Sequence, residues 1–170
     1  MKTFQEFVLE CSQLDESSLS RIVSKSKKGG MAILSGSRAD KSSKENKARA
    51  KQLDRDIKGK GLPGATKVSG RWDEKDKKTG ETKKVKERSH VVTSGKKGKR
   101  KFSDTIKALG RKYDQDAVLI QKKKTGTFTA TRKDGLGKAK RADAGTIKPG
   151  RSSAQGDTKI KGKTFTYSKE

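Results

Sequence analysis

The sequence predicts an α+β fold, a small ferredoxin-like βαββαβ(β) domain, on three observations. Apolar runs at strand spacing alternate with apolar faces at helix spacing between residues 31 and 132. The hydrophobic supply is thin, 27% of residues with 5% aromatic, so the core must be economical. An antiparallel sheet covered on one face by two helices needs only one apolar side per element. Finally, 170 residues accommodate one domain with tails rather than two domains.

The elements follow in order. Residues 1–23 read as an amphipathic helix, because Phe4, Phe7, Val8, Cys11 and Leu14 fall on one helical face. Residues 24–30 read as a basic linker ending in Gly29-Gly30. The α+β domain spans 31–132. It opens with a strand from Met31 to Ser35, and Ser42 or Ser43 caps a helix to about Lys58. Strands follow at Ala65–Trp72 and Val85–Thr93, joined by a charged turn at Lys78-Thr79-Gly80. Ser103 is the expected cap of a second helix with Ile106, Leu109, Gly110 and Tyr113 inward. Ala117–Gln121 is the clearest strand, and it pairs with Thr127–Arg132 across Lys124-Thr125-Gly126. This is the split βαβ order. Residues 133–170, with a glycine every few positions and bases between, read as a disordered basic tail in which Lys163–Ser168 could add an edge strand.

Charge narrows the partners. The net charge is +25, yet residues 1–20 set Lys2 alone against Glu6, Glu10, Asp15 and Glu16. A body this basic favours a polyanion, and DNA bound non-specifically through its phosphates is the expected partner. The candidate contacts are Lys96, Lys97, Lys99, Arg100 and Lys101 in one loop, Lys122, Lys123 and Lys124 in a second, and Lys138, Lys140 and Arg141 in the tail. No membrane partner is expected, because the basic stretches are interleaved with Gly, Ser and Thr rather than an apolar face. No apolar run approaches transmembrane length and no secretory leader is evident. Cys11 is the single cysteine, which suits a reducing compartment.

Catalytic patterns are poor, so no enzyme, metal or cofactor is expected. His90 is the only histidine and sits in a predicted strand, and one cysteine with one histidine makes no zinc site. Asp73, Glu74 and Asp76 lie in a Lys-rich turn as solvated charges. Gly162-Lys163-Thr164 lacks the spacing and the following helix of a P-loop.

Two resemblances add to this. Met1-Lys2-Thr3-Phe4-Gln5-Glu6-Phe7-Val8-Leu9-Glu10 resembles the capsid-targeting sequence of internal head proteins of large contractile-tailed bacteriophages. The resemblance implies a targeting and cleavage segment of Phe4, Phe7, Val8, Glu10 and Cys11, with cleavage after Glu10. It implies prohead scaffold or core proteins and a maturation protease as partners, with a host protein as a further one. The location would be the virion interior and then the host cytoplasm. On that reading the protein is a virion protein bound to packaged DNA. The alternatives are a host-directed effector or inhibitor and a free cytosolic nucleic-acid-binding protein. The middle of the chain resembles a family of small uncharacterised α+β proteins at Asn46, Arg49, Glu87-Arg88-Ser89 and the run Leu109 to Val118. Within that match Asn46, Arg49, Glu87, Ser89 and Gln115 are candidates to line one pocket.

Overall fold

The computed structural model describes residues 18–75, 79–149, 156–160 and 163–168. Its elements are α1 (Ser18–Lys28), β1 (Met31–Leu34), α2 (Ser43–Gly59), β2 (Thr66–Lys75), β3 (Thr82–Thr93), α3 (Lys99–Lys112), β4 (Ala117–Lys122), β5 (Thr125–Ala130), β6 (Gly135–Lys138), β7 (Arg141–Pro149), β8 (Gly156–Ile160) and β9 (Lys163–Ser168). Eight strands close into a barrel in the order β1-β3-β2-β8-β9-β7-β5-β4. All eight pairings are antiparallel.

This overturns the expected open ferredoxin-like sheet. The run β4-β1-β3-β2 has the strand order of a split βαβ sheet, and β5 extends it beside β4, but the outer strands β2 and β5 are not edges. β2 pairs with β8 through Ser69–Trp72, and β5 pairs with β7 through Thr125–Thr129. Closure removes both rows of unpaired backbone groups, which an open sheet leaves exposed. The expected disordered tail is corrected for the same reason. Residues 135–138, 141–149, 156–160 and 163–168 are strands, β7, β8 and β9 supplying the missing staves. They need few apolar side chains, because ladder hydrogen bonds hold them; among their described side chains Ala144, Phe165 and the partly buried Ile147 and Tyr167 join the interior core.

Smaller corrections have local causes. The expected linker at 24–30 continues α1 to Lys28, because Ile22 and Ser26, one turn apart, are buried against the barrel. The second helix starts not after Ser103 but after Gly98, whose backbone is extended. Phe102 is thereby drawn into the core, 2% exposed, with Ile106 and Leu109. Ser42 is the cap of α2, forming a capping box with Glu45. The targeting and cleavage residues Phe4, Phe7, Val8, Glu10 and Cys11 lie outside the described residues. No described helix is long and apolar enough to cross a membrane.

The apolar residues divide into two layers. Ala32, Leu34, Val92, Val118 and Ile120 face outward under Leu53 and Ile57 of α2 and Phe102, Ile106, Leu109 and Tyr113 of α3. Met31, Ile33, Val68, Val91 and Leu119 face the barrel interior with Phe165 and with Ile22 of α1. All four residues of β1 are therefore buried, one pair on each face.

His90 lies on the outer side of β3, 1% exposed, beneath α2. Its Nε2 is 3.2 Å from Asp54 Oδ1, whose other oxygen takes Lys67 Nζ at 3.0 Å. Neither ring nitrogen has a hydrogen-bond partner among the described residues. Burial holds the imidazole pKa below its ordinary 6.5, against the pull of Asp54. The folded state therefore binds fewer protons than the unfolded chain below pH 6.5. This stabilisation is complete above that value and is lost as pH falls through the lowered pKa. Melting temperature is expected to fall between pH 7.5 and 5.5, and His90→Asn to flatten that slope in calorimetric scans; an unchanged slope would remove His90 as its source.

Candidate active site

A cavity of about 810 Å³ opens at the edge where β1 ends and β4 begins. That volume falls in the small-molecule range of roughly 300–1,000 Å³. Its walls are the loop after β1, the first turn of α2, residues 86–88 of β3 and the α3–β4 junction at 114–117.

The loop after β1 is held by its own Ser35 and by side chains from α2 and the α3–β4 junction. Gln115 bridges it, its Oε1 accepting from Ser35 N–H and its Nε2 donating to the Ser37 carbonyl, both at 3.3 Å. Ser35 Oγ donates to the Arg88 carbonyl at 2.7 Å, linking the loop to β3. Asn46 acts as a backbone surrogate: Oδ1 accepts from Arg38 N–H at 2.9 Å, and Nδ2 donates to the carbonyls of Arg38 at 2.9 Å and Lys41 at 3.2 Å. Arg49 Nε donates to the Gly36 carbonyl and its Nη2 to the Tyr113 carbonyl, both at 2.7 Å. Gly36 lets the loop lie close to α2, since a Cβ there would come within 3.1 Å of the Arg49 carbonyl oxygen. Asn46→Ala is expected to lower stability by about 1–3 kcal/mol, from carbonyls and an amide left without partners. Thermal unfolding measures this, and an unchanged midpoint would show the loop to be held by its other ties alone.

The opposite wall is the end of α3. Asp114 adopts φ 55, and Gln115 N–H returns to the Gly110 carbonyl at 2.9 Å, a left-handed helix stop. Arg38 Nη1 donates to the Asp114 carbonyl, closing loop onto helix end. Arg38 Nε also meets Asp40 Oδ1 at 2.8 Å. That bond holds the Asp40 carboxyl below and the Arg38 guanidinium above their ordinary values. Behind this wall, Tyr113 Oη donates to Asp56 Oδ2 at 2.6 Å. Burial, then that carboxylate, push the phenol's pKa upward, so it stays protonated. Gly135 presses on the same junction, where a Cβ would lie 1.8 Å from the Asp116 carbonyl oxygen.

Of the five pocket candidates, Asn46, Glu87 and Gln115 line this cavity. Arg49 stands behind the loop, and Ser89, 3% exposed, is buried one step further along β3. The lining also includes Arg38, Lys41, Lys86, Arg88, Asp114 and Asp116. Arg88, Asp114 and Asp116 lie within the sequence runs quoted for the second resemblance; Arg38 and Lys41 sit in a loop with no periodic signal. The basic residues 96–101 and 122–124 gather at the opposite edge of the same strands, whereas Lys138, Lys140 and Arg141 follow β5 at the cavity edge. Among the described residues no group of three His, Cys, Asp or Glu could hold a metal.

The cavity presents guanidinium and ammonium groups beside carboxylates, with Glu87 half-buried between Lys86 and Arg88 in sequence. Such a surface suits a small ligand carrying both charge signs. The molecule is thus a closed antiparallel barrel with a zwitterion-suited cavity at one edge. The model of the S-adenosylmethionine lyase family matches residues 32–170, and the chain belongs to that family. No curated protein matches it. A solved structure described as a phage SAM lyase in complex with S-methyl-5'-thioadenosine is 20% identical, with a TM-score of 0.35, covering 55% of this chain and 79% of that one.

Membership corrects the functional expectations. The family is one of enzymes, so the readings as a non-enzyme, as an internal head protein retained on packaged DNA, and as an effector or free nucleic-acid-binding protein are overturned. The matched region excludes the ten N-terminal residues on which the head-protein resemblance rested. The catalytic expectation failed because it sought nucleophiles, histidines and metal ligands, and this cavity contains none of these patterns.

Proposed function

We propose that the protein cleaves S-adenosylmethionine at the bond between its sulfonium and the Cγ of the amino-acid chain, releasing S-methyl-5'-thioadenosine. The family match over residues 32–170 carries this reading, since it contains every residue that lines the cavity. The chemistry explains why no conventional catalytic set is needed. A sulfonium leaves as a neutral thioether, so no acid must protonate it. A lyase adds no water, and the substrate's own carboxylate oxygen can attack Cγ. The O–Cγ bond forms as the Cγ–S bond breaks, the electron pair passes to sulfur, and a five-membered lactone results without proton transfer.

The protein's task on this route is to fold the substrate so that carboxylate and Cγ approach, which is catalysis by orientation. The rigid loop tied by Asn46, Gln115 and Arg49 supplies a wall that does not yield. The sulfonium charge vanishes in the transition state, so a carboxylate clasping it would favour the ground state. The ammonium persists throughout, and Glu87 is assigned to it.

The test is to incubate the purified chain with S-adenosylmethionine in ¹⁸O-water and follow products by mass spectrometry. S-methyl-5'-thioadenosine should accumulate with an unlabelled lactone, and any ring-opened product should carry label only in its carboxyl group. Label in the γ-hydroxyl would indicate direct hydrolysis, and unconsumed substrate would defeat the proposal.

A further inference from the structure

Cations are concentrated at the edge of the sheet opposite the cavity. Three adjacent strands bring them there: β3 ends, β1 begins and β4 turns into β5 at this edge, through the pairs Met31↔Thr93, Met31↔Gln121 and Lys122↔Thr125. The segments 21–34, 93–103 and 121–130 contain no Asp or Glu. They carry Lys25 and Lys28 at the end of α1, five bases among residues 96–101, and lysine at each of 122–124.

The segments are knit together. Ser94 N–H donates to the Gly30 carbonyl at 3.1 Å, and Gly29 packs directly against the Ser94 side chain. Gln121 Nε2 donates to Ser26 Oγ of α1 at 3.2 Å and to the Lys123 carbonyl at 3.0 Å, fixing the hairpin, where Lys123 has φ 57. Tyr167 Oη donates to Gln121 Oε1, and burial pushes that phenol's pKa upward. The cations therefore stand on a rigid frame.

Their placement works against local stability. Lys99, Arg100 and Lys101 occupy the first turn of α3, at the positive end of the helix, where acidic residues are favoured; that turn has no acid and no side-chain cap. Among the described residues no carboxylate pairs with Lys25, Lys28, Lys96, Lys97, Lys122 or Lys124. The next acid along α3, Asp104, is held by Lys107 at 2.7 Å. A local rule broken this consistently, with no carboxylate ion-paired to these lysines among the described residues, marks a surface suited to an external anion.

We infer that this edge binds the phosphate backbone of nucleic acid without sequence preference, as an accessory surface separate from the lyase cavity. The residues between the cations are Gly, Ser and Thr, exposed at Gly95, Gly98 and Thr125. They offer neither the apolar face that a membrane helix needs nor an aromatic platform for stacking bases. Phosphate contact alone remains, with a steep salt dependence.

The test uses the full chain and a fluorescein-labelled 20-nucleotide DNA, single-stranded and duplex, titrated by anisotropy across a NaCl series. The fourfold reversal K96E/K97E/K122E/K124E should weaken binding at least tenfold and reduce the log–log salt slope by about 3–4. The control K51E/R55E/K58E/K60E, on exposed positions along and just past α2, changes net charge equally and should leave most of the affinity. Equal weakening by both variants, or none by the first, overturns the proposal. So does binding to phosphatidylserine vesicles without binding to nucleic acid. Should the reversal fail to fold by circular dichroism, the Gln versions at the same four positions are compared in its place, with the same outcomes decisive. Lyase turnover should match the parent in both variants, so failure of this surface and failure of the lyase reading are read separately.

Discussion

Replacing Glu87 with Gln is expected to lower kcat/KM for S-adenosylmethionine by about 10–100-fold. The magnitude is that of a charge-assisted hydrogen bond, about 1.5–3 kcal/mol. The assignment also predicts how the loss divides. The substrate ammonium keeps its charge from ground state to transition state, so an interaction with it is uniform binding and its loss raises KM with kcat little changed. A fall in kcat instead would place Glu87 at the reacting centre, near the charge that disappears. Unaltered kinetics would move the site away from this cavity, since Glu87 is a half-buried carboxylate on its wall.

The second large effect is structural. Phe165 of β9 is 1% exposed in the barrel interior and stands edge-on to Tyr167, ring centroids 6.4 Å apart. Phe165→Ala is expected to cost about 3–5 kcal/mol, a loss readable in urea unfolding. Ending the chain at Pro149 should be worse. It removes β8 and β9, leaves β2 and β7 with unpaired edges and opens the interior cluster to water. Loss of a cooperative transition, with aggregation, is the expected outcome. Retention of full stability in either variant would return residues 150–170 to the status of a dispensable tail.

That contrast shows where local pattern is informative. Ala117–Lys122 and the hairpin to β5 were legible because four consecutive apolar residues and a polar turn leave few alternatives. The helix capped by Ser42 was legible from Ser-x-x-Glu chemistry, realised as a capping box. In β7, β8 and β9 the signal is faint, because Gly, Thr, Asp and Lys dominate and most of the stabilisation comes from backbone pairing with remote strands. Closure is a property of the whole ring, and no window of residues along the chain contains it.

The site divides in the same way. Asn46, Glu87 and Gln115 stand out in the sequence as polar groups at element boundaries, and their types already suit hydrogen bonding and charge recognition. Arg38 does not stand out, because its place depends on Asn46 reading its backbone and on Asp114 turning left-handed at the end of α3. The sequence by itself determined the composition, the excess of positive charge, the element order from 31 to 130 and the kinds of group available. Only the tertiary structure decided that the sheet closes, that one loop is strapped between two helices to wall a cavity, and that three acid-free segments meet at the far edge. The physical reason is range: propensity, capping and turns act over a few residues, whereas barrel closure and the convergence of charge depend on pairings separated by up to most of the chain.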